Sequence, residues 1–431
     1  MLDSRTGRLL ASPVLFRCAA VAAALVALIT ALLAVASLAH AAREGSGATN
    51  FVAFYAAGAI VRQGDGAHLY DIDSQEAAER AARPAGLQRA YAFVFPAFSA
   101  WLFAPLTLLS YREAQLAWAA ANIAGLALLL VALARYLRSV PASPRRAFLV
   151  AVAISTPAMA TVLGSEVEVL IAGSLFASYL LLCDRRDGLA GVLAAGALFK
   201  PHLLAGVVLF LLVRRRWRAL ASLAAVATPL LVLPALALGP HTLVDHAHLL
   251  LRFPAERRDL AVDADTMANW RGVVVSVTGS NNAWLWAPGL IVIALAALAL
   301  AVRRWRDAAT SLEQAYALAL LLPLVASPHV RTQSLLLAFV AGALALRTSF
   351  AAPEPLVAGG RDRRAAVATN LALATPVVLF ACWYAGIAGI APAGLVMLAV
   401  YALAAWRWPE RARPQAAQAP AAPVDVRERA A

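Results

Sequence analysis

Lysine is almost missing from this chain. Lys200 is the only one in 431 residues, so arginine carries nearly all of the positive charge behind the formal net charge of +13. Charged residues of every kind make up 14% of the sequence, against about a quarter in a soluble domain, and 62% is hydrophobic. That balance argues against a soluble globular protein. The arginines do not form one long basic face. They fall in short junctions between apolar runs, which argues against a nucleic-acid partner and marks them as topology determinants. Cysteine is equally scarce. Cys18, Cys183 and Cys382 each sit in or beside an apolar segment, and this odd number without motif spacing argues against a disulfide framework or a zinc site. They read as small buried hydrophobes.

What the sequence does have is long apolar runs, at 18–42, 113–134, 147–163, 167–183, 219–239, 286–302, 312–327, 333–346, 366–388 and 391–406. Each is long enough, or nearly so, to cross ~30 Å of hydrocarbon as a helix. Helices are the only open-ended spanning solution, because lipid satisfies no backbone polar group. The expected fold is all-α, a polytopic transmembrane helical bundle of about ten spanning helices with re-entrant or short segments. Residues 1–408 form one membrane domain, and 409–431 read as a disordered cytoplasmic tail. The run at 18–42 follows Arg5, Arg8 and Arg17 but is too long for a signal-peptide core, so it reads as an uncleaved first helix.

Arginine clusters at 135–146, 185–186, 214–218, 303–306, 361–364 and 407–413 set the expected orientation. If all are cytoplasmic, both termini are too, in a multi-pass protein of the cell membrane, and 43–91, 240–285 and the short 328–332 turn lie outside. Two stretches break the count. Residues 92–110 are apolar and contain Pro96 and Pro105, which suits a re-entrant or interfacial segment. Residues 189–212 have arginines at both ends and Lys200–Pro201 at the centre. One straight crossing would put one cluster outside, whereas a hairpin of two half-helices keeps both inside. Non-helical backbone at that depth is tolerated only where protein lines a cavity, so a transporter-like topology also fits.

The first outer loop runs Asn50-Phe-Val-Ala-Phe-Tyr-Ala-Ala-Gly58, then Val61-Arg-Gln-Gly-Asp65, then Leu69-Tyr-Asp71, and returns through Tyr91-Ala-Phe-Val-Phe-Pro96. Phe51, Phe54 and Tyr55 recur at helical spacing, which predicts a helix lying on the membrane surface. Later come Ala190-Gly-Val-Leu-Ala-Ala-Gly-Ala-Leu-Phe-Lys200-Pro201, Arg215-Arg-Trp-Arg218 and Ser327-Pro-His-Val-Arg-Thr-Gln333. A lysine in an apolar run is costly, and so are Glu166 and Glu168 if the ends of spanning helices bury them rather than leaving them in a solvated turn. His202 reads as a packed imidazole or as a ligand. His241, Asp245, His246 and His248 lack the spacing of a helical histidine pair and read as loop residues. Arg271, in Met267-Ala-Asn-Trp-Arg271-Gly, reads as an acceptor contact or an interfacial anchor.

In order and spacing these motifs resemble the GT-C glycosyltransferases of the family 87 type, polyprenyl-phosphate-mannose-dependent alpha-mannosyltransferases and their relatives. The resemblance spans roughly residues 48–335. It implies a membrane enzyme that moves a mannose-like hexose from a polyprenyl-phosphate donor to an envelope glycan or glycolipid acceptor. The implied partners are membrane lipids, that donor and that acceptor. No cofactor beyond the donor is implied, and a divalent metal stays open. Three departures matter. The family's first-loop motif begins with Asp, proposed as its catalytic base, where this chain has Asn50, and an amide accepts no proton at neutral pH. Glu166 stands where the family has Gln, and Phe95-Pro96 replaces Tyr-Pro-Pro.

The expected base is therefore Glu166, Asp71 or Asp65, with Glu44 behind them. Asn50, Tyr55, Lys200, His202, Arg271, His329 and Arg331 are the expected substrate-binding residues, the cations among them serving the leaving phosphate. A lipid-linked saccharide transporter or flippase and a catalytically degenerate relative remain the competing readings. A transporter should show symmetric halves and paired broken helices, and the interruption at 200 has no clear partner. The loop assignment predicts that single cysteines placed at Ala67 and Thr278 react with an impermeant maleimide in intact cells. Protection of either position would overturn the topology.

Overall fold

The computed structural model describes residues 50–83, 90–256, 264, 267–351, 395, 398–402 and 405. The expected first helix at 18–42, most of the expected runs at 366–388 and 391–406, the tail and Glu44 lie outside the described residues. Every regular element that is described is helical. Four helices are long and apolar enough to cross a membrane: Tyr111–Tyr136, Ala142–Leu163, Trp217–Leu238 and Ala283–Arg306. The other apolar helices are shorter, so the expected count of about ten spans is not reproduced by length and composition alone.

At the start, α1 (Phe51–Arg62) and α2 (Ile72–Ala82) precede an extended stretch. The short α3 (Ala97–Phe103) then runs into a 3-10 turn, Ala104–Leu108. The aromatic face expected to meet lipid instead enters the protein, for Phe51 and Phe54 are fully buried and pack against Phe103. Gly58 allows this approach, since a Cβ there would lie 2.9 Å from the Ala104 backbone. Next, α4 (Tyr111–Tyr136) opens with a capping box between Ser110 and Glu113. α5 (Ala142–Ala153) and α6 (Thr156–Leu163) follow, then α7 (Glu168–Cys183).

The 189–212 region is broken, as its proline and basic flanks predict. α8 (Asp187–Ala194) continues as a 3-10 turn, Ala195–Phe199, stops at Lys200, and restarts as α9 (Pro201–Val213) with proline at the first helical position. Its two ends come back together. Arg216 Nη1 lies 2.9 Å from Asp187 Oδ1. The segment is thus a hairpin with arms of roughly 20 Å, and Lys200 is its tip. α10 (Trp217–Leu238) packs on the first arm, and α14 (Leu312–Ala326) packs on the second. Between them run α11 (His241–Glu256), α12 (Trp270–Thr278) and α13 (Ala283–Arg306). After α14, a 3-10 turn, Thr332–Leu335, leads into α15 (Leu336–Ala351).

Contacts between helix ends divide the bundle into two poles. At the arginine-rich pole Tyr136 and Tyr179 hydroxyls meet at 2.9 Å, Arg347 lies over the Tyr136 ring, Arg214 donates to Thr310 O, and Trp305 donates to Ala315 O. At the other pole Gly66 lies against Leu238, Tyr55 donates to Leu109 O, and Asn269 donates to Ser327 O. Lys200 belongs to this second pole. α14 is buried on all sides from Glu313 to Val325, as a central helix should be. α4, α10 and α13 instead turn Leu128, Leu236 and Leu295 outward, the surface a bilayer would cover.

Glycine sets the spacing inside the bundle. A Cβ on Gly191 would fall 2.0 Å from Ala219 O, and one on Gly206 would fall 2.1 Å from Ala319 O. Such small residues let helix backbones approach where lipid supplies no hydrophobic drive. Gly173 in α7 has nothing within 4 Å of the same position. Gly191→Ala is expected to lower thermal stability in detergent by the equivalent of about 1–3 kcal/mol, with Gly173→Ala neutral or slightly stabilising. Equal effects from both would refute the close packing.

Candidate active site

The sharp link from α6 to α7 carries the central carboxylates. Gly164 allows it, for a Cβ there would lie 2.5 Å from Ala160 O. Ser165 adopts a left-handed φ of 54°, an uncommon state for a residue with a side chain. Trp118 Nε1–H holds the turn by donating to Ser165 O at 2.9 Å. Glu166 and Glu168 emerge from it, each 2% exposed. Val167 caps α7 and Glu168 begins it, so both carboxylates sit at the pole opposite the arginine clusters.

Four other segments converge on them. Asn50 starts α1 without capping it; its side-chain amide reaches across and donates to Glu166 Oε1. Gln333 Nε2 donates to the same oxygen at 2.8 Å. From the hairpin tip, Lys200 Nζ bonds Glu168 Oε1 and lies 3.6 Å from Glu166 Oε2. Ser334 Oγ approaches Glu168 Oε1 at 3.4 Å. The Phe95 ring faces the ammonium at 5.5 Å, a cation–π contact. Glu166 Oε2, Glu168 Oε2 and His202 Nε2 are buried without a hydrogen-bond partner. One ammonium therefore serves two carboxylates, and acceptor capacity is left over.

Histidines and arginines flank this cluster. The His202 and His329 rings meet edge to face at 6.4 Å. Burial first, then the charges of Arg331, Lys200, His202 and Arg271, keeps His329 well below the usual histidine range. It is a neutral imidazole among cations. Arg331 directly precedes the turn that carries Gln333 and Ser334. Arg271 donates from Nε to Asn281 Oδ1 at 2.9 Å and lies over the Trp286 ring.

The remaining sequence candidates lie elsewhere. Asp71 is exposed and caps α2 by accepting from Ser74 N at 2.7 Å. Asp65 is exposed and pairs with His68 at 2.5 Å. Tyr55 bonds the Leu109 carbonyl and packs on Tyr111. The His241–His248 stretch, expected as loop, is helical, and His246 turns inward to stack on Tyr70 at 4.6 Å and meet Val94 O at 3.1 Å. Gln333 was legible only as the last residue of a motif, Glu168 only as a possible solvated turn residue, and Ser334 gave no signal.

A polytopic helical membrane protein with a buried carboxylate–cation cluster at one pole is the class this architecture defines. Residues 93–328, just over half of the chain, match the model of glycosyltransferase family 87, and the chain belongs to that family. The match begins after the first loop, so Asn50 lies outside it. No curated protein and no solved structure matches the chain.

The non-helical stretch that brings Phe95 to Lys200 is clamped from α2. Gln75 accepts from Phe93 N at 2.8 Å, and Glu79 Oε2 accepts from Tyr91 N at 2.9 Å. Burial, reinforced by Glu76, pushes the fully buried Glu79 carboxyl up from 4.5 to about 8 despite the Tyr91 bond. The folded protein thus holds a proton that the unfolded chain releases between these values. The associated stability is complete at acid pH and is lost as pH rises through about 8. The unfolding temperature is expected to fall between about pH 5.5 and 8.5, and Glu79→Gln should flatten that slope. An unchanged slope in the variant would remove Glu79 as its source.

Proposed function

We propose that the chain transfers a hexose, mannose-like, from a polyprenyl-phosphate donor to an envelope glycan or glycolipid acceptor. In this reading the protein sits in the cell membrane with both termini cytoplasmic. The fold is of the GT-C type, and transfer takes place at the non-cytoplasmic face, the pole opposite the arginine clusters. The observation that carries the reading is the Glu166 carboxylate. Oε1 accepts from both Asn50 and Gln333, whereas Oε2 is buried, free of hydrogen bonds and 3.6 Å from Lys200 Nζ.

In the proposed step an acceptor hydroxyl gives its proton to Glu166 Oε2 as its oxygen attacks the anomeric carbon. The carbon–oxygen bond to phosphate breaks, and polyprenyl phosphate leaves with the electron pair. One displacement inverts the anomeric centre and needs one carboxylate base. The departing phosphate needs positive charge and N–H donors, which Arg331, Arg271, Lys200 and the two histidines would supply. Glu168 serves mainly as the counter-ion of Lys200. Asp71 and Asp65, engaged on the surface, take no part.

The family resemblance adds a correspondence. Where the resemblance implies an aspartate at position 50 and a glutamine at position 166, this chain places Asn50 and Glu166 in direct contact. The carboxylate and the amide have exchanged positions, and one proton acceptor is retained between them. A transfer assay with polyprenyl-phosphate-mannose and envelope lipid extract tests this. Glu166→Gln should lose about 10²–10⁴-fold in rate, while Asp71→Asn stays within about twofold. The double exchange Asn50→Asp with Glu166→Gln should recover part of the loss. Full activity in Glu166→Gln would sink the assignment. An inert wild type that gains activity with Asn50→Asp would make the chain a degenerate relative.

A further inference from the structure

We propose that a groove at the far end of α1 is a binding site for an anionic phospholipid. α1 starts beside the carboxylate cluster at Asn50 and ends at Arg62, so the groove lies roughly 17 Å away from the cluster along the helix. Val61, Trp101, Ala104, Pro105 and Leu108 line it, and Arg62 is the only charged residue among them. The volume is about 480 Å³, within the range of small-molecule sites built from apolar walls and a few polar groups.

Arg62 is presented rather than consumed. Its Nε donates to Thr107 Oγ1 at 2.7 Å, and Thr107 in turn donates to Ala104 O at 2.7 Å. That relay fixes the guanidinium plane. Among the described residues Arg62 makes no other hydrogen bond and no ion pair with a carboxylate, so both terminal nitrogens stay open. Trp101 and Leu108 beside it are exposed, Leu108 at 75%. An oriented guanidinium next to an open apolar wall complements a phosphodiester with an attached alkyl chain. The phosphate takes the paired N–H groups, and the chain lies along Trp101, Pro105 and Leu108. The position suits such a ligand. α1, α3 and the 3-10 turn share the pole where Tyr55 meets Leu109 O, and exposed apolar side chains beside an unpaired guanidinium are what an anionic lipid would engage.

The test uses the purified, delipidated full chain, titrated with dioleoylphosphatidylglycerol, dioleoylphosphatidylcholine or inorganic phosphate and read by native mass spectrometry. One phosphatidylglycerol should bind at least about tenfold more tightly than phosphatidylcholine, and phosphate alone should not saturate the site. Arg62→Gln should abolish the preference, Arg62→Lys should retain part of it, and Thr107→Val should weaken it severalfold by releasing the guanidinium. Phosphatidylcholine binding equal to phosphatidylglycerol, or an undiminished preference in Arg62→Gln, would overturn the proposal. Tight binding of inorganic phosphate would reduce the site to one for a free anion and overturn it equally. Arg62→Lys and Thr107→Val keep the test decisive should Arg62→Gln fold poorly.

Discussion

The site is organised around one ammonium placed where ammonium groups are expensive. Lys200 stands at the tip of a hairpin inside an apolar bundle, and its charge is tolerable only because Glu168 and Glu166 meet it there. That requirement reaches far along the chain. The hairpin arms must be short enough to stop at the level of the α6–α7 link. The link must turn sharply, which calls on Gly164 and the left-handed Ser165. The 3-10 turn after α14 must arrive at the same level to bring Gln333 and Ser334 to the carboxylates. Removing Lys200 would leave both buried carboxylates without a counter-charge, and breaking a buried pair in this way costs about 3–5 kcal/mol in comparable cases.

The hairpin was legible because its signals are local. Arginines flank both ends, and a proline follows the lysine at the centre, a pattern that allows only a few arrangements in a bilayer. Glu166 was legible as a candidate only, since the family resemblance implies a carboxylate base and Asn50 cannot accept a proton. Its partners were not. Gln333 is 167 positions away from Glu166, and no periodicity or motif spacing records that they touch. Asp71, a candidate in the sequence, caps α2 and lies away from the carboxylate cluster in the structure. In sequence, an aspartate after Leu-Tyr looks the same whether it reaches a cavity or caps a helix. The deciding feature is Ser74, whose N–H takes the carboxylate at the start of α2. The aromatic helix at 51 was read correctly as a helix, but its apolar face turned to protein, because Phe103 and Tyr111 offer partners as good as lipid.

Two carboxylates two residues apart invite the question of which one reacts in the proposed transfer. Their surroundings separate them. Glu168 spends one oxygen on Lys200 directly, with Ser334 beside it, and so carries the structural charge balance. Glu166 meets Lys200 only at 3.6 Å, and its other oxygen is tied by two amides from distant segments. Two donors on one oxygen fix the plane of the carboxyl group without neutralising it. Both carboxyl groups keep one buried free oxygen, so what separates them is orientation and the direct Lys200 bond: the oriented group held off the ammonium at 3.6 Å suits a general base better than the one bonded to it.

In the proposed reading that division also fits an amide at position 50 and a carboxylate at position 166, the reverse of what the family resemblance implies. A carboxylate on either side of the contact, facing an amide on the other, keeps the same hydrogen bond and the same total charge beside Lys200. What changes is which rigid element bears the base. At position 50 it would project from the start of α1. At position 166 it projects from a turn pinned by Trp118 and enclosed by α7 and the Gln333 turn. In the proposed reaction the second arrangement gives a base with less freedom to lose when substrate binds, at the expense of backbone strain at Ser165. In that reading the strain at Ser165 and the carboxylate at position 166 belong together. A left-handed residue is kept in the α6–α7 link because it turns Glu166 toward Asn50 and Glu168 toward Lys200 within three residues of chain.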